Sequence, residues 1–158
     1  MKAARELVHG TCVALGTKAA LLRGGSGTGK SDLALRFMAL PAEAELEPRL
    51  VADDQVLVDA RGPRELIASP PATLAGKLEV RGLGILEISH LEQARLVLVV
   101  DLVPREEVPR MPAEPLENTV IAGVAVPLLR LAPFEPSSAL KLKLALLAAS
   151  LQMPIWHP

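Results

Sequence analysis

The run Gly24-Gly25-Ser26-Gly27-Thr28-Gly29-Lys30-Ser31 has the G-x-x-x-x-G-K-S spacing of a loop that wraps a chain of phosphates. Successive glycines let the backbone curl until its N–H groups point inward at anionic oxygens. A helix opening near Lys30 would aim its positive end at the same point. In such a loop Lys30 neutralises the β- and γ-phosphates of a nucleotide, and the Ser31 hydroxyl holds Mg²⁺. Phosphoryl transfer needs further parts: a carboxylate for the acceptor's proton, a metal ligand, and positive charge for the transition state. Asp53-Asp54 follows the apolar run Leu50-Val51-Ala52, so the pair would stand at a strand's exposed end. One of the two would hold Mg²⁺. Adjacent carboxylates on a strand point to opposite sides and can serve different partners.

The elements that must position these groups can be read from the apolar pattern. Leu7 to Leu15 reads as a strand, Gly16-Thr17-Lys18 as a turn and Ala19 to Leu22 as a second strand that delivers the glycine loop. From Lys30 to Leu40, apolar residues at 33, 34, 37 and 40 give one helical face. Pro41 to Pro48 is acidic and helix-breaking, a surface loop. Arg49 to Val58 is strand-like, Gly62-Pro63 marks a turn, and Glu65 to Ala68 begins another short strand. Pro70-Pro71 opens a segment running to Val80. Leu83 to Ile88 and Arg95 to Val103 read as buried strands, and Pro104 to Pro115 as a charged, proline-rich loop. Val120 to Leu131 is β-like, and Ser137 to Leu151 is a helix without internal Pro or Gly. The pattern predicts a mixed α/β domain in which strands outnumber helices.

The chain has 158 residues, enough for one domain with a real core. Half of it is hydrophobic but only 2% aromatic, so that core must be packed from Leu, Val, Ile and Ala. A net charge of -1 gives no footing for nucleic acid. The longest uncharged stretch, Leu144 to Trp156, is shorter than the roughly 18 to 20 residues a membrane crossing needs. The N-terminal Met1 to Gly10 lacks the apolar stretch of a signal peptide. Cys12 is alone, which excludes an internal disulfide and fits a reducing cytoplasm.

Four stretches together resemble the catalytic domain of bacterial HPr kinase/phosphorylase. They are His9-Gly10-Thr11-Cys12-Val13, Gly24 to Ser31, Val51-Ala52-Asp53-Asp54-Gln55-Val56, and Lys77-Leu78-Glu79-Val80-Arg81-Gly82-Leu83-Gly84-Ile85. Generic P-loop proteins carry neither the His-Gly strand before the loop nor the Glu-x-Arg-Gly-x-Gly run after it. The matches span Leu7 to Ile88, and weaker similarity continues to about Leu147. The resemblance implies a mixed sheet related to phosphoenolpyruvate carboxykinase, in one catalytic domain covering residues 1–158. It implies ATP- and Mg²⁺-dependent phosphorylation of a serine on an HPr-type phosphocarrier protein, and its reversal by inorganic phosphate.

By matching motif, the resemblance makes Asp54 the base that accepts the serine proton, and the acid in reverse. Asp53 would sit beside it and organise the metal, with Glu79 and Ser31 as Mg²⁺ ligands. His9 would lie close to the phosphates, and Arg110, in Pro109-Arg110-Met111-Pro112, resembles the family's catalytic arginine. His90 and His157 fall outside any matched motif and read as structural or surface residues. The family assembles as a hexamer, so a homo-oligomer is implied.

Two departures stand out. Full-length members carry a separate N-terminal domain, so this chain looks like a short form. Where the family has a basic Gly-Arg-Asn segment linked to the phosphorylase reaction, this chain has Pro133-Phe134-Glu135-Pro136-Ser137-Ser138-Ala139. Losing a cation should weaken phosphate binding and with it the reverse reaction. Two other readings compete. A small-molecule P-loop kinase usually needs an arginine-rich lid, and Pro104 to Pro115 offers only Arg105 and Arg110. A nucleotide sensor without catalysis would be expected to lose its acids, yet Asp53, Asp54 and Glu79 are all present. A GTPase lacks support, since no Asn-Lys-x-Asp-like run occurs.

Overall fold

In the computed structural model, residues 4–151 are described. His157 and the end of the Leu144 to Trp156 stretch lie outside them. The strands are β1 (Arg5–His9), β2 (Thr11–Leu15), β3 (Lys18–Arg23), β4 (Pro48–Ala52), β5 (Gln55–Ala60) and β6 (Leu66–Ser69). After them come β7 (Lys77–Val80), β8 (Gly84–Glu87), β9 (Ala94–Leu102), β10 (Asn118–Ile121) and β11 (Val124–Leu131). The described residues also hold two α-helices, α1 (Lys30–Met38) and α2 (Ser138–Ser150), with single 3₁₀ turns at Ala72–Leu74 and Arg105–Glu107. No helix among the described residues is long and apolar enough to cross a membrane.

Nine strands form one mixed sheet in the order β1-β5-β6-β9-β3-β2-β4. β3 runs parallel to β9 along most of one edge. The other edge of β9 is shared: β6 pairs with Ala94 and Arg95, and β11 runs parallel to Val99–Leu102, carrying β10 with it. β7 and β8 form a separate hairpin.

The central strands are buried on both faces, which explains their uninterrupted apolar runs. Alternate side chains sort into two cores. Cys12, Ala14, Ala19, Leu21, Val56, Val58 and Val99 fill one side. Val13, Leu15, Ala20, Leu22, Leu98 and Val100 face the other, where Leu33, Ala34 and Phe37 of α1 and Leu142 and Leu146 of α2 cover them. Burial without a partner pushes the Cys12 thiol up from its ordinary range, so it is a packing residue.

Several expected elements are corrected. Leu7 to Leu15 is two strands, because the chain turns at Gly10, whose N–H bonds the Asp54 carbonyl at 3.1 Å. Arg49 to Val58 likewise breaks at Asp53-Asp54, where Asp54 takes a left-handed φ of 68°. Val120 to Leu131 turns at Ala122-Gly123, with φ values of 48° and 79°, into the β10–β11 hairpin. Leu83 to Ile88, expected buried, is largely exposed: Leu83 is 72% and Ile85 69% open. They sit on a two-stranded hairpin outside the large sheet.

Candidate active site

The glycine loop leaves the end of β3 and enters α1, as the motif requires. Gly27 and Gly29 adopt φ of 80° and 92°, a region that favours glycine. A Cβ on Gly24 would fall 2.4 Å from Thr28 Oγ1, so the loop closes only because that position is bare. Thr28 Oγ1 donates to the Gly25 carbonyl at 2.7 Å and fixes the turn. Lys30 is buried but for 8% of its surface, and its ammonium donates to the carbonyls of Gly24 at 2.7 Å and Gly25 at 2.9 Å. The cation therefore stands at the mouth of the loop.

The two strand breaks put the acids beside this loop. β1 pairs with β5 and β2 with β4, so the break at Gly10 lies opposite the break at Asp53-Asp54. This seam gives the two aspartates different surroundings. Asp53 is 6% exposed and accepts bonds from Thr11 Oγ1 at 2.7 Å, from Ser31 Oγ at 3.0 and 3.2 Å, and from the Glu79 amide at 3.2 Å. Three donors to one carboxylate offset the cost of burying it. The Asp54 side chain is 66% exposed, with Oδ1 3.7 Å from Nδ1 of His9. That pair is an ion pair when His9 carries a proton.

Ser31 and Asp53 thus converge on one spot, and both offer the hard oxygen donors that Mg²⁺ takes. No three His, Cys, Asp or Glu side chains converge among the described residues. Mg²⁺ usually takes only one or two carboxylates together with substrate phosphates, so the donor set fits. Glu79 approaches through its backbone amide, while its side chain is exposed on β7 at the edge of the same spot.

His9, Lys30, Ser31, Asp53, Asp54 and Glu79 are therefore tied to one region by direct contacts or adjacent strands. Among the described residues, no hydrogen bond or ion pair ties Arg110 to them. It lines a cavity of about 460 Å³ with Arg105, Leu116, Leu129 and Leu144, and no residue of the P-loop or the acidic seam lines that cavity. His90 is half-buried, its ring against Gly76, which agrees with a structural role.

Three contributors were not legible as site residues. Thr11, wholly buried, locks Asp53; it lay inside a matched stretch but has no chemistry of its own to announce it. Arg23, next to the loop, is held by Asp101 at 2.7 Å and reaches Thr119 Oγ1 at 3.3 Å, anchoring the end of β3 to β9. Phe134 lies against Gly29, and only its being an aromatic in an aliphatic chain could have marked it.

Comparison with known proteins bears out the family resemblance. Residues 2–142 match the family model described as HPr Serine kinase C-terminal domain. The chain is 34% identical over 139 residues to the HPr kinase/phosphorylase of Chlorobium phaeobacteroides, covering 81% of this chain and 38% of that protein. It is likewise 34% identical over 101 residues to the HPr kinase/phosphorylase of Limosilactobacillus reuteri, covering 64% of this chain and 30% of that one. The chain thus spans about a third of the length of the curated relatives it matches. Its fold is shared with the solved Hpr(Ser) kinase/phosphatase of Coxiella burnetii, at a TM-score of 0.74 and 22% identity over 93% of this chain and 92% of that one. By motif, fold and family model, the chain belongs to the HPr serine kinase C-terminal domain family.

Proposed function

We propose that this chain is an ATP- and Mg²⁺-dependent kinase that phosphorylates a serine of an HPr-type phosphocarrier protein. The observation that carries this reading is the seam, which sets a buried Asp53 on Ser31 of the P-loop and leaves Asp54 open to solvent one residue later. A carboxylate for the metal and a carboxylate for the acceptor are thereby separated by environment. Asp54, exposed and beside His9, takes the proton of an incoming hydroxyl. Lys30, presented at the mouth of the loop, stabilises charge on the transferring phosphoryl group. Bound Mg²⁺ supplies charge neutralisation on the phosphate oxygens, with Ser31, Asp53 and Glu79 as its protein side.

Arg110 keeps its proposed role as a catalytic cation only if its proline-rich loop closes on the site when the acceptor docks. Reversal by phosphate is expected to be weak. Glu135 stands in the segment where the family carries positive charge, and the neighbouring cation Lys141 is paired with it at 3.1 Å. The two cores meet on the shared strands β2, β3 and β9, which supports reading residues 1–158 as one catalytic domain. A homo-oligomer is proposed on the exposed leucines of α2 and of the β7–β8 hairpin. The reducing cytoplasm suits its single buried thiol.

The deciding experiment incubates the chain with ATP, Mg²⁺ and purified HPr-type carriers and identifies the modified residue by mass spectrometry. Serine phosphate is the expected product. Lys30→Ala should reduce its formation roughly 100- to 1,000-fold, and unchanged turnover in that variant would refute the reading.

A further inference from the structure

The chain holds two phenylalanines, one tryptophan and no tyrosine. Phe37 is fully buried beneath α1, as an apolar ring in an aliphatic protein should be. Phe134 is the opposite, with 69% of its surface open to solvent. Leaving a large ring in water forgoes the free energy of burying it, so its position needs a reason.

That position is against the phosphate loop. A Cβ on Gly29 would lie 2.8 Å from both Cε1 and Cζ of Phe134 and 3.2 Å from Pro133 Cβ. One edge of the ring therefore touches the last loop glycine, while most of the ring is free. The segment that carries it is clamped. Arg36 of α1, itself held by Asp32 at 2.9 Å, donates to the carbonyls of Pro133 and Glu135. Ser138 Oγ donates to the Ala132 carbonyl at 2.6 Å and accepts from the Glu135 amide at 3.1 Å. Lys141 pins the Glu135 carboxylate. A rigid, solvent-open aromatic face beside a phosphate cradle is suited to stacking a flat, π-bearing group.

We propose that Phe134 is the platform on which the base of the bound nucleotide stacks while its phosphates fill the loop. The inference rests on the nucleotide reading of the P-loop and adds to it a base subsite. Stacking is tolerant of base identity, since every base has a π face. The polar side chains that flank the ring, Arg36 and Glu135, are already engaged with Asp32, backbone carbonyls and Lys141. ATP and GTP should therefore be bound with similar strength.

The test is calorimetric titration of the whole chain, in Mg²⁺, with ATP, GTP and inorganic tripolyphosphate. Phe134→Ala and Phe134→Leu should weaken ATP and GTP by roughly 5- to 100-fold and leave tripolyphosphate, which has no base, unchanged. Phe134→Trp should hold both nucleotides at least as tightly as the parent. Equal loss of ATP and tripolyphosphate in Phe134→Ala would mean that the ring only shapes Gly29, and would overturn the proposal. Undiminished ATP affinity in that variant would overturn it too, assigning the exposed ring to a protein contact instead. If the unmodified chain bound neither ATP nor tripolyphosphate, the nucleotide reading itself would fall and the platform with it.

Discussion

At the scale of single residues, the two neighbouring aspartates have different surroundings, and the different work proposed for them rests on that. Asp53 is buried and bonded by Thr11, Ser31 and the Glu79 amide, whereas Asp54 is open and faces His9. A base for the forward transfer must be the acid for its reversal. Asp54→Asn should therefore abolish serine phosphorylation and any phosphate-driven removal together, measured as phosphocarrier formed and pyrophosphate released. Retention of either activity alone would show that Asp54 is not the shared proton carrier. Glu79 is the less secured of the proposed metal groups, since its amide rather than its carboxylate touches Asp53. Glu79→Gln, which removes only the anionic charge, should raise the Mg²⁺ concentration for half-maximal activity while leaving the thermal midpoint unchanged. An identical Mg²⁺ titration for variant and parent would assign Glu79 to the surface.

At the scale of elements, the motif-bearing pieces were legible and the breaks between them were not. The loop and α1 were foreseen because glycine spacing and a 3.6-residue apolar period are local signals. β3 and β9 were foreseen because burial on both faces demands an unbroken apolar run. The corner that makes the site was legible only in part: Asp53-Asp54 was expected at a strand's exposed end, yet Leu7 to Leu15 and Arg49 to Val58 read as continuous β pattern across both breaks. What turns the chain there is tertiary: Gly10 bonds Asp54, and Asp54 accepts a left-handed φ that its short side chain tolerates. The β7–β8 hairpin was misjudged because apolar residues such as Leu83 and Ile85 carry no mark of which surface will cover them. The corner yields its own prediction. A Cβ at Gly10 would meet the Leu22 carbonyl at 2.6 Å and Leu21 Cδ1 at 3.0 Å, whereas one at Gly25 would meet nothing within 4 Å. Gly10→Ala should cost about 1 to 3 kcal/mol in urea unfolding, and Gly25→Ala no more than about 0.5 kcal/mol. Equal midpoints for the two variants would show that the corner yields without strain.

At the scale of the whole molecule, α2 presents Leu140 and Leu144 at 53% and 64% exposure, spaced so as to share one side of the helix, and Leu151 just past its end is 66% exposed. Apolar stripes of this kind on soluble domains mark contact surfaces. Light scattering should give a mass several times that of one 16.7 kDa chain, and Leu140→Lys with Leu144→Lys should lower it. A monomeric mass for the parent chain would refute the proposed assembly. The parallel pairing of β3 with β9 has a further consequence, which concerns time. The strand that delivers the phosphate loop is bounded on one side by its hairpin partner β2 and on the other by a strand much later in the chain. Arg23, at the root of the loop, is held by Asp101, 78 residues away. Every residue assigned to the loop and the acidic seam leaves the ribosome before that partner does. The cradle is thus spelled out early but can be set only late, after a long loop has closed, which places this domain among the slower folders of its size. Until β9 emerges, the growing chain carries an apolar strand with an open edge, the state in which a nascent protein is most exposed to pairing with another chain.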